Sequence, residues 1–137
     1  MNKIFETPLY PYARNPDEDA PVPARHRVIV VGAGPVGLAA AIDLAQQGIE
    51  VVILDENDKV SFGSRAICFA KRPLEILDRL GAGQPMVDKG VVWNLGKVFF
   101  DDRKVFEFDL LPEEGHQRPA FINLQQYYFE EFLVNRV

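Results

Sequence analysis

VIVVGAGPVGLAAAIDLAQQGIEVVILDEN, residues 28–57, carries three local patterns in direct succession. Val28–Val31 is a short, continuous apolar run, as expected of a parallel strand covered on both faces. Pro35 to Gln47 then reads as a helix, with alanines and leucines at close-packing positions and Gly48 as its stop. Ile49 to Leu54 supplies a second strand. Short joints between the three predict one βαβ unit, the building block of a Rossmann-like α/β fold.

Gly32, Gly34 and Gly37 give G-x-G-x-x-G between the first strand and the helix. The first glycine permits a tight turn, the second lets a pyrophosphate approach the backbone, and the third lets helix and strand pack closely. Unpaired N–H groups at the helix start complete an anion site. Pro35 fits there, because its missing N–H falls where few donors are satisfied anyway. Asp55 ends the second strand roughly 20 residues beyond Gly32, where a carboxylate can accept from both ribose hydroxyls of an adenosine. Glu56 follows and is the neighbouring candidate; Asp55 is nearer the strand end and is preferred. An acid here disfavours a 2′-phosphate, so this pocket is not expected to take NADP. Taken alone, these residues leave FAD and NAD open.

The chain has 137 residues, 47% hydrophobic and 26% charged, enough for one modest domain with a core. A formal charge of −5 offers no nucleic-acid surface, and Arg25-His26-Arg27 reads as a solvated strand entry. Cys68 is the only cysteine, so no intrachain disulfide forms; a small packed residue and a reducing cytoplasm are expected. The N-terminus lacks a long apolar stretch, so no signal peptide is expected, and three glycines, a proline and Asp43 interrupt the apolar run from Val28 to Ala45. With two histidines and one cysteine, a metal site has little support.

Four segments follow from composition. Residues 1–27, with Pro8, Pro11, Pro16, Pro21 and Pro23, form an extended arm or disordered leader. Residues 28–90 hold the βαβ unit and a further helix, Pro73 to Leu80, whose Leu74, Leu77 and Leu80 make a buried stripe. Residues 91–122 are strand-rich: VVWNLG, KVFFDD and KVFEFDL, with Asp101-Asp102 turning the last two into a hairpin. Trp93, Phe99, Phe100, Phe106 and Phe108 are expected in a core. Residues 123–137 read as a helix, with Leu124, Tyr128 and Phe132 on one line and Glu130, Glu131 and Arg136 facing elsewhere.

Three blocks, VIVVGAGPVGLAAAIDLAQQGIEVVILDEN, SRAICFAKRPLEILDRLG and RPAFINLQQYYFEEFLVNRV, resemble the flavoprotein aromatic hydroxylases, the para-hydroxybenzoate hydroxylase and phenol monooxygenase type. The 3-(3-hydroxyphenyl)propionate hydroxylase branch looks most similar. The glycine motif is generic; SRA followed by the PLEILDRLG helix, and the INLQQYYFEEFLV block, are far more specific. The resemblance implies an FAD-binding βαβ unit of the glutathione-reductase type, incomplete, then the start of an added β-sheet substrate domain, with residues 123–137 returning to the FAD-binding domain. It assigns Gly32, Gly34 and Gly37 to the pyrophosphate turn and Asp55 to the ribose. Arg65 resembles the arginine beside the FAD pyrophosphate and the nicotinamide approach, a role suited to a guanidinium fork. Gln126, favoured over Gln125 because Phe129-Glu130 follow at the family spacing, resembles the glutamine on the flavin's ribityl side. Glu75 matches a recurring position and is expected to form an ion pair.

In that family NADH or NADPH reduces FAD, the reduced flavin captures O₂ as a C4a-hydroperoxide, and one oxygen passes to a phenolic ring; the protein supplies position, polarity and exclusion of water. The resemblance therefore implies the N-terminal portion of a longer, cytoplasmic hydroxylase of a small aromatic substrate, possible as a homodimer, with no nucleic-acid or membrane partner. Alone, the portion is expected to be inactive. Two other readings stay open: a different FAD- or NAD-linked oxidoreductase, and a non-catalytic dinucleotide-binding module.

Overall fold

The computed structural model describes residues 6–63 and 65–137; residues 1–5, at the start of the proline-rich arm, and residue 64, in the second family-like block, lie outside the described residues. β1 (Ile29–Val31) and β2 (Val52–Leu54) pair in parallel, Ile29 opposite Val52 and Val31 opposite Leu54, and α1 (Pro35–Gln46) connects them. The chain thus makes the expected βαβ unit, with β2 starting later than the apolar run because Ile49 turns back to α1, its N–H donating to Leu44 O at 3.0 Å. Full cover of β1 does not follow. Val31 is 83% exposed and Ile29 50% exposed, since this sheet has two strands. An apolar strand pattern specifies neighbours on both faces, and here the strands contact α1.

The described residues fall into two compact units, one running up to Gly63 and taking in Phe129–Val137, the other ending at Tyr128. Buried side chains of the first unit include Leu38, Ala41, Ile42, Val60, Phe129 and Leu133. The arm is extended and held. Leu9 pairs antiparallel with Lys59, and the Tyr10 N–H donates to Asp58 O at 2.7 Å. Beyond them Asn15 caps a short 3₁₀ helix, Pro16–Asp19, in a capping box with Glu18.

The second unit contains β3 (Cys68–Ala70), α2 (Lys71–Arg79), α3 (Gly83–Lys89), β4 (Val91–Trp93), β5 (Leu95–Phe100), β6 (Arg103–Asp109) and β7 (Phe121–Asn123). β7 lies between β3 and β4, antiparallel to both, with Cys68 and Val91 opposite Asn123. α2 starts before Pro73, which occupies the first turn, where a missing N–H breaks no helical bond. Leu74, Leu77 and Leu80 are buried, as the stripe predicts. α3 was hidden from pattern reading because Gly83 and Pro85 look like breakers. Yet a Cβ at Gly83 would sit 2.1 Å from Asp78 Oδ1, so close approach requires that glycine. The guanidinium of Arg118, 9% exposed, clasps both Asp78 oxygens and donates from Nη1 to Gln84 Oε1 at 2.9 Å, tying α2 and α3 to the segment before β7.

β5 and β6 form the expected hairpin, Asp101 adopting φ 48° in its turn, a conformation that aspartate tolerates better than most residues. Its aromatics do not make a core. Phe99, Phe100 and Phe106 are 56%, 68% and 58% exposed, and the Phe108 ring lies over Gly96, where a Cβ would be 2.1 Å from it.

The final helix is shorter than its apolar line: β7 takes Phe121–Asn123, and α4 is Gln126–Val134. Glu130 does not face away. It is 4% exposed, and its Oε2 accepts from the Ser61 N–H, an ionisable side chain buried because it satisfies a loop donor.

Candidate dinucleotide-binding site

Three glycines do three different things at the β1–α1 joint. Gly32 has φ 101°, a backbone that L side chains rarely adopt, and its N–H donates to Leu54 O at 2.7 Å, closing the turn against β2. Gly34 is the N-cap of α1 in an extended conformation, with no atom within 4 Å of where a Cβ would stand. Gly37 is the opposite case: its Cβ would lie 2.0 Å from Gly32 O and 3.2 Å from Val30 Cγ1. The turn, the open approach and the close helix–strand contact therefore fall on Gly32, Gly34 and Gly37 respectively. Pro35 is the first residue of α1.

Asp55 faces this turn. Its Oδ2 accepts from the Ala33 N–H at 2.6 Å, and its Oδ1 accepts from the backbone and side chain of Asn57 at 2.8 and 3.0 Å. Donation from Ala33 is the largest cause, with Asn57 next, of a pKa held below the usual aspartate value. The carboxylate is thus ionised and oriented at the end of β2, and each oxygen keeps lone-pair capacity toward solvent. Glu56 is exposed beside it. Asn57 escaped sequence reading; the Asp-x-Asn spacing of an Asx turn is the signal that could have found it.

An FAD pyrophosphate and ribose fit this group on structural grounds. Gly34 leaves the space a side chain would fill, the first turn of α1 offers N–H donors, and Asp55 supplies the acceptor.

Arg65 and Gln126 belong to the second unit. Arg65 is exposed, and the next residue, Ala66, donates its N–H to Gln126 Oε1 at 3.1 Å, across sixty positions of chain. The structure therefore brings the neighbourhood of Arg65 to the head of α4. Gln125 is exposed. Glu75 pairs with Arg72 at 3.1 Å and Lys71 at 3.6 Å. Cys68 is not packed: it is exposed on edge strand β3, and its thiol donates to Asn123 Oδ1 at 3.2 Å, which also accepts from Trp93 Nε1 at 2.9 Å. His26 pairs with Asp17 at 2.7 Å and His116 Nδ1 with Lys71 Nζ at 2.8 Å. Among the described residues no group of three or more His, Cys, Asp or Glu side chains could hold a metal ion, and no helix is long and apolar enough to cross a membrane.

Fold and turn together define an α/β dinucleotide-binding domain. Comparison with known proteins narrows the class: the family described as "FAD binding domain" matches residues 25–137. Para-nitrophenol 4-monooxygenase of Pseudomonas sp. strain WBC-3 is 40% identical over 65 residues, 47% of this chain and 16% of that protein. The 3-(3-hydroxy-phenyl)propionate/3-hydroxycinnamic acid hydroxylase of Escherichia coli O139:H28 is 31% identical over 116 residues, 82% of this chain and 21% of that protein. Among solved structures, p-nitrophenol 4-monooxygenase from Pseudomonas putida superposes with a TM-score of 0.72 at 26% identity, over 81% of this chain and 29% of the other. The chain belongs to the FAD-binding domain family of flavin-dependent aromatic monooxygenases. It spans about a fifth of the length of its curated relatives, and the matches define the family rather than one member, the hydroxyphenylpropionate branch included.

Proposed function

We propose that this chain is the FAD-binding part of an NAD(P)H-dependent monooxygenase that hydroxylates a small phenolic or aromatic compound, its βαβ unit being of the glutathione-reductase type. The observation that carries the reading is the division of labour at the glycine turn, where Gly37 is required by the protein's own packing while no protein atom lies within 4 Å of where a Gly34 Cβ would stand. A residue left bare against open space, at the N-cap of a helix, is what close approach by an anionic ligand needs.

In this reading Gly32, Gly34, Pro35 and Gly37 form the pyrophosphate cradle. Asp55, rather than Glu56, accepts from the adenosine ribose. Arg65 contributes a guanidinium to the pyrophosphate and Gln126 a carboxamide to the ribityl chain, the roles the resemblance implies. Bound FAD would supply electron transfer from a nicotinamide to O₂ and the delivery of one oxygen atom to the ring. The chain's own residues would hold the cofactor's charge, orient it and keep Asp55 ionised; the remaining parts of the protein would supply the substrate pocket and a possible homodimer contact. The substrate ring and the choice of NADH or NADPH lie outside these residues.

The test is the purified full-length protein that contains this sequence, assayed for flavin absorbance and for NAD(P)H oxidation with a panel of phenols, beside the 137-residue chain alone, for which no turnover is expected. Bound flavin, phenol-stimulated oxidation and a hydroxylated product are expected of the full-length protein. Flavin with oxidation indifferent to every aromatic added would favour another FAD-linked oxidoreductase, and binding without redox turnover a non-catalytic module.

A further inference from the structure

The arm precedes the family match, which begins at residue 25, yet it is attached to the segment that carries Asp55. Asp55, Glu56, Asn57, Asp58 and Lys59 are all exposed, and Val60 is the next buried side chain. Such a stretch has few buried contacts to resist local opening. Asp55 is held on one side by the Ala33 N–H and on the other by Asn57, the Ser61 N–H is held by Glu130, and between Asn57 and Ser61 the arm adds the Leu9–Lys59 bridge and the Tyr10 N–H to Asp58 O at 2.7 Å. Beyond Tyr10 the arm carries local order of its own, in the Asn15 capping box and the contact of His26 with Asp17.

We propose that residues Leu9 and Tyr10 act as a strap across the segment following Asp55, positioning that carboxylate and so raising affinity for the adenosine half of the dinucleotide. The proposal rests on the reading of Asp55 as the ribose acceptor. Asn57, which holds the second carboxylate oxygen, lies on that stretch; when the stretch opens this hold must be re-formed on binding and the entropy is subtracted from affinity, a loss that a strapped stretch avoids. Coupling between two equilibria is reciprocal. If the docked arm strengthens binding by some factor, the bound ligand must strengthen docking by the same factor.

ADP, which carries the ribose and pyrophosphate without a flavin ring, is the probe. Amide exchange of Tyr10 is measured in the intact chain with and without saturating ADP, together with the ADP dissociation constant of the chain, of Tyr10→Pro, which lacks the N–H, and of a chain starting at Asn15. The strap predicts a dissociation constant raised roughly five- to tenfold in both variants, and Tyr10 exchange slowed by ADP in the same proportion. A merely structural arm would lower the melting midpoint equally with and without ADP and leave the dissociation constant alone. ADP binding with Tyr10 exchange unchanged would overturn the strap and leave the Asp55 reading standing. Failure of the intact chain to bind ADP would remove both.

Discussion

Asp55 does two jobs with one carboxylate: it joins the β1–α1 turn to the end of β2 through Ala33, and it presents charge to solvent at the rim of that turn. Backbone donation from Ala33, then from Asn57, lowers its pKa, so the folded state holds this proton less tightly than the unfolded chain. The stabilisation is therefore present above the ordinary aspartate value of about 4 and is lost as pH falls through the lower folded value. Denaturation of the chain and of Asp55→Asn from neutral pH down to about pH 3 should show a stability gap that closes on acidification; a gap independent of pH would assign the effect to shape rather than charge. The glycines allow a sharper comparison. Gly37→Ala drives a Cβ into Gly32 O and should cost about 2 kcal/mol or more in denaturant unfolding, with binding lost as α1 shifts. Gly34→Ala meets no protein atom and should cost about 1 kcal/mol as a poorer N-cap, while FAD affinity falls far more than stability does.

At the scale of elements, Arg118 is the member whose removal should be felt most in the second unit. Replacing it with methionine leaves Asp78 without its bidentate partner and should destabilise the unit by about 3 kcal/mol, read from a denaturant midpoint shifted at constant slope. Nothing in the sequence pairs position 118 with position 78, since a fork between residues forty apart leaves no periodic trace. The βαβ unit was legible because its apolar runs and glycine spacing are local facts, and the Leu74–Leu77–Leu80 stripe likewise. α3 was not, because Gly83 and Pro85 serve packing and a first turn while looking like breakers. β7 is not marked in the sequence: three residues are too short to show a period of two, Asn123 reads as the start of the following helix, and only pairing with β3 and β4 makes Phe121–Asn123 a strand. Residue type alone places Glu130 in solvent, and a loop N–H from Ser61 overrides that default. At the candidate site, the glycine turn and the place of Asp55 at the end of β2 follow from spacing, whereas nothing local in the sequence joins Ala66 to Gln126, sixty positions away.

At the scale of the molecule, the described chain leaves large apolar side chains in solvent on β1 and on the β5–β6 hairpin, Val31 at 83% and Phe100 at 68% exposed. Exposed apolar patches promote association in water. The apparent molar mass of the isolated chain from light scattering should therefore rise with concentration, and Phe100→Ser with Phe106→Thr should reduce that rise without much change in the unfolding midpoint, because neither ring is buried. The glycine turn is where the identity of the cofactor can be read. Titrating the purified chain with FAD and, separately, with NAD, alongside Gly34→Ala, tests it most directly. FAD should bind in preference to NAD, and Gly34→Ala should lose FAD while remaining folded. NAD binding without FAD, or FAD binding indifferent to a methyl group at Gly34, would contradict that expectation.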